Sequence, residues 1–218
     1  MTEEELKEVA KQLAHPQGEF GTKVAELLNQ NNRHMIRETI RAMHLQNGEK
    51  VLETGHASTG HLEYLMAQAS KLTYSGVEVS ALMQEAASCG NATWVESGQA
   101  SFALFDGIHL SFPDNSFDKI FSVNTVFFWE KPAETFAELA RVRNPGGRFC
   151  LCYGTAASLR QLPVTRHGFR LYEQAELDIL IGQSPLFQLE LLSFSEDFVD
   201  ETRGETIQHE YRVLVLSK

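Results

Sequence analysis

Apolar positions in this chain switch between two periods. Short strand-like runs occur at 50–54, 72–78, 101–105, 118–123 and 148–153. Helix-like runs lie between them at 60–70, 80–97 and 132–143, with Gly90 as a break in the second. Strands alternating with helices predict a parallel sheet covered on both faces. The tail follows another rhythm: a helix at 173–182, then strands near 187–195 and 206–216. The short link between those strands allows an antiparallel pair. The predicted fold class is α/β: a doubly wound, mostly parallel seven-stranded sheet with an antiparallel C-terminal strand and N-terminal helices.

Helical patterning also precedes the first strand. Thr2-Glu3-Glu4-Glu5 reads as a capping box, with Leu6, Val9, Ala10 and Leu13 as an apolar stripe behind it. His15-Pro16-Gln17-Gly18 breaks that helix. A second helix is expected over 22–28. A third follows Asn31/Asn32, with Met35, Ile36, Ile40 and Met43 on one side, and Gln46-Asn47-Gly48 ends it. The expected organisation is a single domain over 1–218, with 1–48 as a helical extension or cap on an α/β core at 49–218.

Composition narrows the partners. With 19 basic and 29 acidic residues among 218, the formal charge is −10. Such a chain repels phosphate backbones, so nucleic acid is not expected as a partner. No apolar run is long enough to span a membrane, and the acidic N-terminus lacks the apolar core of a signal peptide. A cytoplasmic location is the expectation, and oligomeric state is left open. Cys150 and Cys152 alternate in a predicted strand and are expected to pack as core thiols, a free Cys usually behaving as a small hydrophobe. The eight histidines show no metal-ligand spacing, so no metal is expected.

The chemistry concentrates at Val51-Leu52-Glu53-Thr54-Gly55-His56-Ala57-Ser58-Thr59-Gly60. An apolar run ends in an acid, a turn of small residues follows, and an amphipathic segment begins. Ligands of open α/β sheets bind at such junctions, outside the carboxyl ends of strands. Glu78 ends the next apolar run, a spacing that suits an acid reading ribose hydroxyls. Together these features point to an adenosine-bearing cofactor.

Four blocks in order carry a resemblance. They are Val51–Gly55, Ser75-Gly76-Val77-Glu78-Val79-Ser80, Phe105–Asp118, and Arg141–Arg148 with its Pro145-Gly146-Gly147 turn. The chain resembles the class I S-adenosylmethionine-dependent methyltransferases, in particular the small type 11 members, from about Gly21 onward. The resemblance implies a Rossmann-like methyltransferase fold and S-adenosylmethionine as cofactor, with S-adenosylhomocysteine as product. It implies that Glu53 meets the cofactor's ammonium, with Gly55, His56, Ala57 and Gly60 along its tail. Glu78 would hold the ribose, with Val79 beside it. Asp106 would accept from the adenine amino group, with the Gly107 or Ile108 amide near the ring. Asn124 would line the methionine tail.

Members of that family usually carry Gly-x-Gly-x-Gly in the first loop, where this chain has Ala57 and Thr59. A left-handed backbone disfavours both residues. Either the loop avoids that conformation here or binding is weakened. Phe128 and Trp129, in an aromatic cluster after the fourth predicted strand, are candidate acceptor contacts. His167 and Tyr172, with Arg160, Arg166 and Phe169, lie in an irregular segment that could form a lid. No catalytic residue is assigned; His61, His167 and Tyr153 are candidate bases only. The expected function is methyl transfer to a small-molecule acceptor. The alternatives are a non-catalytic module of the same fold and, less favoured, a nicotinamide oxidoreductase.

Overall fold

The computed structural model describes residues 1–200 and 204–218. Three helices come first: α1 (Glu3–Ala14), α2 (Gly18–Asn31) and α3 (Arg33–Met43). They are followed by β1 (Lys50–Thr54), α4 (Leu62–Met66), β2 (Thr73–Glu78), α5 (Ala81–Gly90), α6 (Ala92–Glu96) and β3 (Ala100–Leu104). Next come β4 (Phe117–Val123), α7 (Pro132–Val142), β5 (Arg143–Gly154), α8 (Ala156–Leu159) and α9 (Gln174–Gly182). The hairpin β6 (Phe187–Asp200) and β7 (Glu205–Ser217) completes the sheet.

The strand order is β3-β2-β1-β4-β5-β7-β6. β1 to β5 pair in parallel, and β7 runs antiparallel to both β5 and β6. The chain winds outward from β1 in one direction and from β4 in the other. The crevice at their carboxyl ends is therefore the switch point where such sheets bind ligands.

Period-two alternation divides the core between the two faces. Leu52, Ile120, Phe149, Leu151, Leu214 and Leu216 face α7 and α9. Val51, Phe121, Val123, Cys150, Cys152, Val213 and Val215 face α3 and α4. The two thiols lie on one face, as their alternation predicts, and burial pushes the Cys150 thiol up to about 12. On α3, Met35, Ile36, Ile40 and Met43 all point into this core. Each such side chain contributes about 1.5–3 kcal/mol of burial.

Several boundaries move. The helix expected at 22–28 runs over the whole of α2, and the run at 60–70 holds only the short α4. The third helix ends earlier than the Gln46-Asn47-Gly48 signal: His44 turns left-handed at φ 52°, and Gly48 serves the turn into β1. β5 begins at Arg143 rather than 148. The Pro-Gly-Gly turn is absorbed as an irregularity against β4, where Phe117 pairs with Arg143 and Lys119 with Arg148. Asp118 ties that junction, accepting from Lys50 N at 2.9 Å and Asn144 Nδ2 at 2.6 Å.

The capping box of α1 is formed, with Thr2 Oγ1 accepting from Glu5 N and Glu5 Oε2 accepting from Thr2 N. The N-terminal helices are joined to the sheet by long-range polar contacts. Ser80 Oγ caps α5 and donates to Pro16 O at 2.6 Å. Tyr211 of β7 and His34 of α3 hydrogen-bond at 2.6 Å. Among the described residues, no helix is long and apolar enough to cross a membrane.

Candidate functional site

The loop after β1 bends sharply. Gly55 has φ 73°, and a Cβ there would lie 2.4 Å from Thr125 Cγ2, so both backbone angle and space require glycine. Ala57 (φ 48°) and Thr59 (φ 54°) are left-handed as well. The loop thus keeps the conformation that glycines would adopt freely. For β-branched Thr59 this is strained, at a cost of about 1–3 kcal/mol.

A local network holds the strained turn. Thr59 is completely buried, and its Oγ1 lies 2.9 Å from His56 Nδ1 and 3.3 Å from His56 O. His56 Nδ1 is also 2.7 Å from Ala57 O, so a proton on Nδ1 serves both oxygens. The His56 ring packs edge-on against Phe102 at 5.1 Å, and burial lowers its pKa. Neighbouring helices fasten the loop: Asn29 Nδ2 donates to Ser58 Oγ, and Asn91 Nδ2 to Thr59 O.

Two acids end adjacent strands beneath this loop. Glu53 is 2% exposed and its Oε2 accepts from His61 Nε2 at 2.8 Å and from the Tyr74 hydroxyl. Burial and the adjacent Glu53 carboxylate raise the Tyr74 pKa well above its ordinary value, which keeps the phenol a donor. Among the described residues, Glu53 Oε1 has no hydrogen-bond partner. Glu78 is 6% exposed and gathered by backbone amides. Its Oε2 accepts from Ala57 N at 3.0 Å, and its Oε1 from Val79 N at 2.8 Å and Ser80 N at 3.2 Å. The carboxylate therefore sets the shape of the loop above it.

Asp106 differs. It is exposed and folds back on its own turn, accepting from Ile108 N at 2.8 Å, His109 N at 2.7 Å and the His109 ring at 2.7 Å. The His109 bonds, then the Ile108 amide, hold its carboxyl down to about 2. Asn124, left-handed at φ 55°, is fully engaged. It donates to Asn32 Oδ1 at 2.9 Å and accepts from Gly154 N at 3.1 Å, joining the end of β4 to α3 and β5.

These groups open onto one cavity of about 660 Å³, within the range of small-molecule sites. Glu53, Gly55, His56, Ala57, Glu78, Val79, Asp106, Gly107, Asn124, Phe128 and Trp129 all line it, as does His61. Of the aromatic cluster, Val126 and Phe127 are buried, while Phe128 and Trp129 are half-buried at the cavity wall.

Three expected residues lie elsewhere. Gly60 lies against Asn29 and does not itself line the cavity. His167 points toward α1, its Nε2 3.2 Å from Glu3 Oε1 but outside hydrogen-bond geometry. Tyr172 is buried in the core beside Arg170 and borders a separate small pocket, as does the candidate base Tyr153. The irregular segment nonetheless reaches the cavity through Leu162, Val164, Thr165 and Phe169.

The sequence suggests a helical cap at 1–48 but does not single out the residues of the roof. Val9 and Leu13 of α1, Val24, Leu27 and Leu28 of α2, and Phe198 and Val199 of β6 line the cavity. So does His209 of β7. The apolar stripe of α1 was the available signal, but such a stripe reads equally as core packing. Among the described residues, no group of His, Cys, Asp and Glu could hold a metal ion.

Comparison with known proteins places this geometry. Residues 52–151 match the Methyltransferase domain family. The methyltransferase GfsG of Streptomyces halstedii is 27% identical over 124 residues, 57% of this chain and 44% of that protein. The O-methyltransferase resE of Aspergillus sclerotiorum is 25% identical over 126 residues, 58% of this chain and 47% of that protein. The chain thus aligns with less than half the length of either relative. The crystal structure of an S-adenosylmethionine-dependent methyltransferase from Aquifex aeolicus superposes with a TM-score of 0.70 at 16% identity, covering 89% of this chain and 97% of that one. Residues 52–151 thus carry a match to the methyltransferase domain, and the chain has the fold of that solved methyltransferase.

Proposed function

We propose that this protein binds S-adenosylmethionine across the switch-point crevice and transfers its methyl group to a small-molecule acceptor. In this reading 1–48 caps an α/β core at 49–218. The observation that carries the proposal is the pair of buried acids, Glu53 and Glu78, ending adjacent strands on one cavity beneath a left-handed loop. The residues fit the group. A ligand bearing an ammonium and a sulfonium suits a carboxylate with an oxygen to spare, and Glu53 Oε1 is that oxygen. Glu78 Oε2 carries one amide bond and has a lone pair left for a ribose hydroxyl.

Bound here, the sulfonium supplies an already activated methyl group. The protein's work is to align and to exclude water. Tyr74 and His61 hold Glu53 in place, and the amides of Ala57, Val79 and Ser80 hold Glu78. Phe128 and Trp129 wall the acceptor side. An acceptor held against these walls would meet the methyl donor with water excluded, Glu53 and Glu78 fixing the donor's two ends. His61 Nε2 is engaged with Glu53, so a positioning role suits it better than that of a base. The case for a non-catalytic module rested on Ala57 and Thr59; the loop does not avoid the left-handed backbone at either, but it holds at a cost in strain the shape that glycines would give it, which supports the catalytic reading.

The test is calorimetric titration with S-adenosylmethionine and S-adenosylhomocysteine, with NAD as control. Saturable binding of the first two is expected. Glu78→Ala leaves three amides without their acceptor and should weaken it about 100-fold or more. No binding by folded wild-type protein, or equal binding of NAD, would overturn the reading.

A further inference from the structure

We infer that the acceptor is a largely apolar molecule carrying an oxygen, and that the Nε2–H of His209 meets that oxygen. This rests on the methyltransferase reading above and names its acceptor class. The roof contributed by α1 and α2 is built of Val9, Leu13, Val24, Leu27 and Leu28. The rings of Phe128 and Phe169, 4.6 Å apart, line the same cavity. Several polar side chains on these walls are already committed to the protein. Thr165 Oγ1 donates to Leu159 O and Leu162 O, Asn32 Oδ1 accepts from Asn124, and Thr125 Oγ1 accepts from the Trp129 indole. A polar acceptor would lose its hydration here without compensation.

His209 is held differently. It lines the cavity, is 4% exposed, and is fixed on one side only. Its Nδ1 lies 2.9 Å from Ser158 Oγ, which also accepts from Glu210 N at 3.0 Å. The arrangement that satisfies every atom has the serine hydroxyl donating to Nδ1, which places the ring proton on Nε2. Among the described residues Nε2 has no hydrogen-bond partner. Burial lowers the pKa of His209, so the ring is a neutral donor rather than a cation.

Its location suits the role. A Cβ on Gly154 would lie 2.9 Å from His209 Cε1, so the ring rests on the end of β5. Gly154 N donates to Asn124 at the switch point. His209 thus stands beside the crevice that takes the methionine tail, where an acceptor oxygen would be held close to the transferring methyl. The apolar remainder of the acceptor would extend under α1 and α2.

Two probes of equal shape test this: 1-naphthol and naphthalene, with glycine as a polar control. Each is titrated by fluorescence or calorimetry into the full chain, with and without saturating S-adenosylhomocysteine. The expected result is saturable binding of both ring compounds, 1-naphthol about tenfold tighter, and none of glycine. His209→Phe keeps a planar ring and should bring the ratio to about one, leaving naphthalene and S-adenosylhomocysteine affinities unchanged. His209→Gln restores a donor and should recover part of the preference. A wild-type ratio near one, a ratio that survives His209→Phe, or glycine binding without the ring compounds would overturn the inference. Loss of S-adenosylhomocysteine binding alone would strike the methyl-donor reading and leave the acceptor inference to the ratio.

Discussion

The floor and the roof of the cavity are built on opposite principles. On the floor, at the ends of β1 and β2, buried carboxylates are gathered by backbone amides, a phenol and an imidazole. Direction matters there, and each donor has its acceptor. On the roof, α1, α2 and the 159–169 segment present aliphatic and aromatic side chains. Apolar walls of this kind respond to area and shape, which is tolerant of detail. The contrast teaches that single-atom changes should be felt on the floor, whereas the roof should respond mainly to volume.

The largest effect is expected at Tyr74. Tyr74→Phe deletes one of the two donors to buried Glu53 while keeping the ring against Phe102. A loss of about 1–3 kcal/mol in stability is expected from chemical denaturation. An equally sized loss for a volume-conserving roof change such as Leu13→Met would erase the contrast between the two regions.

The strained loop offers a smaller test within the floor itself. Ala57 is left-handed without side-chain bonds, so Ala57→Gly should stabilise by about 0.4–1 kcal/mol. Thr59→Gly also relieves strain but gives up two Oγ1 contacts to His56 and a buried methyl. It should gain nothing or lose stability. Thermal melting of both variants checks the ordering, and a Thr59→Gly protein more stable than Ala57→Gly would show that the network does not hold the turn.

The smallest effect belongs to Asp106 and His109, which are exposed and screened by solvent. The His109 bonds depress the Asp106 pKa to about 2, so its contribution is present above about 3.9, the unfolded carboxyl value, and fades as pH falls toward 2. The bond to Asp106 raises the His109 pKa. That contribution is complete below about 6.5 and is lost as pH rises through the raised value. Asp106→Asn should return the His109 imidazole titration, followed by NMR, toward its ordinary midpoint. An unchanged midpoint would mean the pair does not persist in solution.

Much of this was legible from the chain because strands declare themselves by apolar runs with period two. β1, β2 and β4 begin and end within a residue of their expected bounds. An acid closing such a run stands at the carboxyl edge of the sheet, which is why Glu53 and Glu78 could be named. Gly60, His167 and Tyr172 were chosen by neighbourhood in sequence, and neighbourhood does not say which way a loop faces. The substitution of Ala57 and Thr59 for glycine was visible, but its outcome was not. The His56 and Thr59 bonds that support the left-handed turn depend on how the loop closes.

By itself the sequence determined the alternation of elements and the two strand-end acids, because these follow from local periodicity and spacing. The tertiary structure decided what lies opposite them. An apolar stripe such as Val9 and Leu13 buries against protein or against a cavity with the same pattern, since removal from water is non-directional. His209 meets Ser158 from 51 residues away. No local motif encodes that meeting, and only the folding of β7 beside β5 places its ring over Gly154.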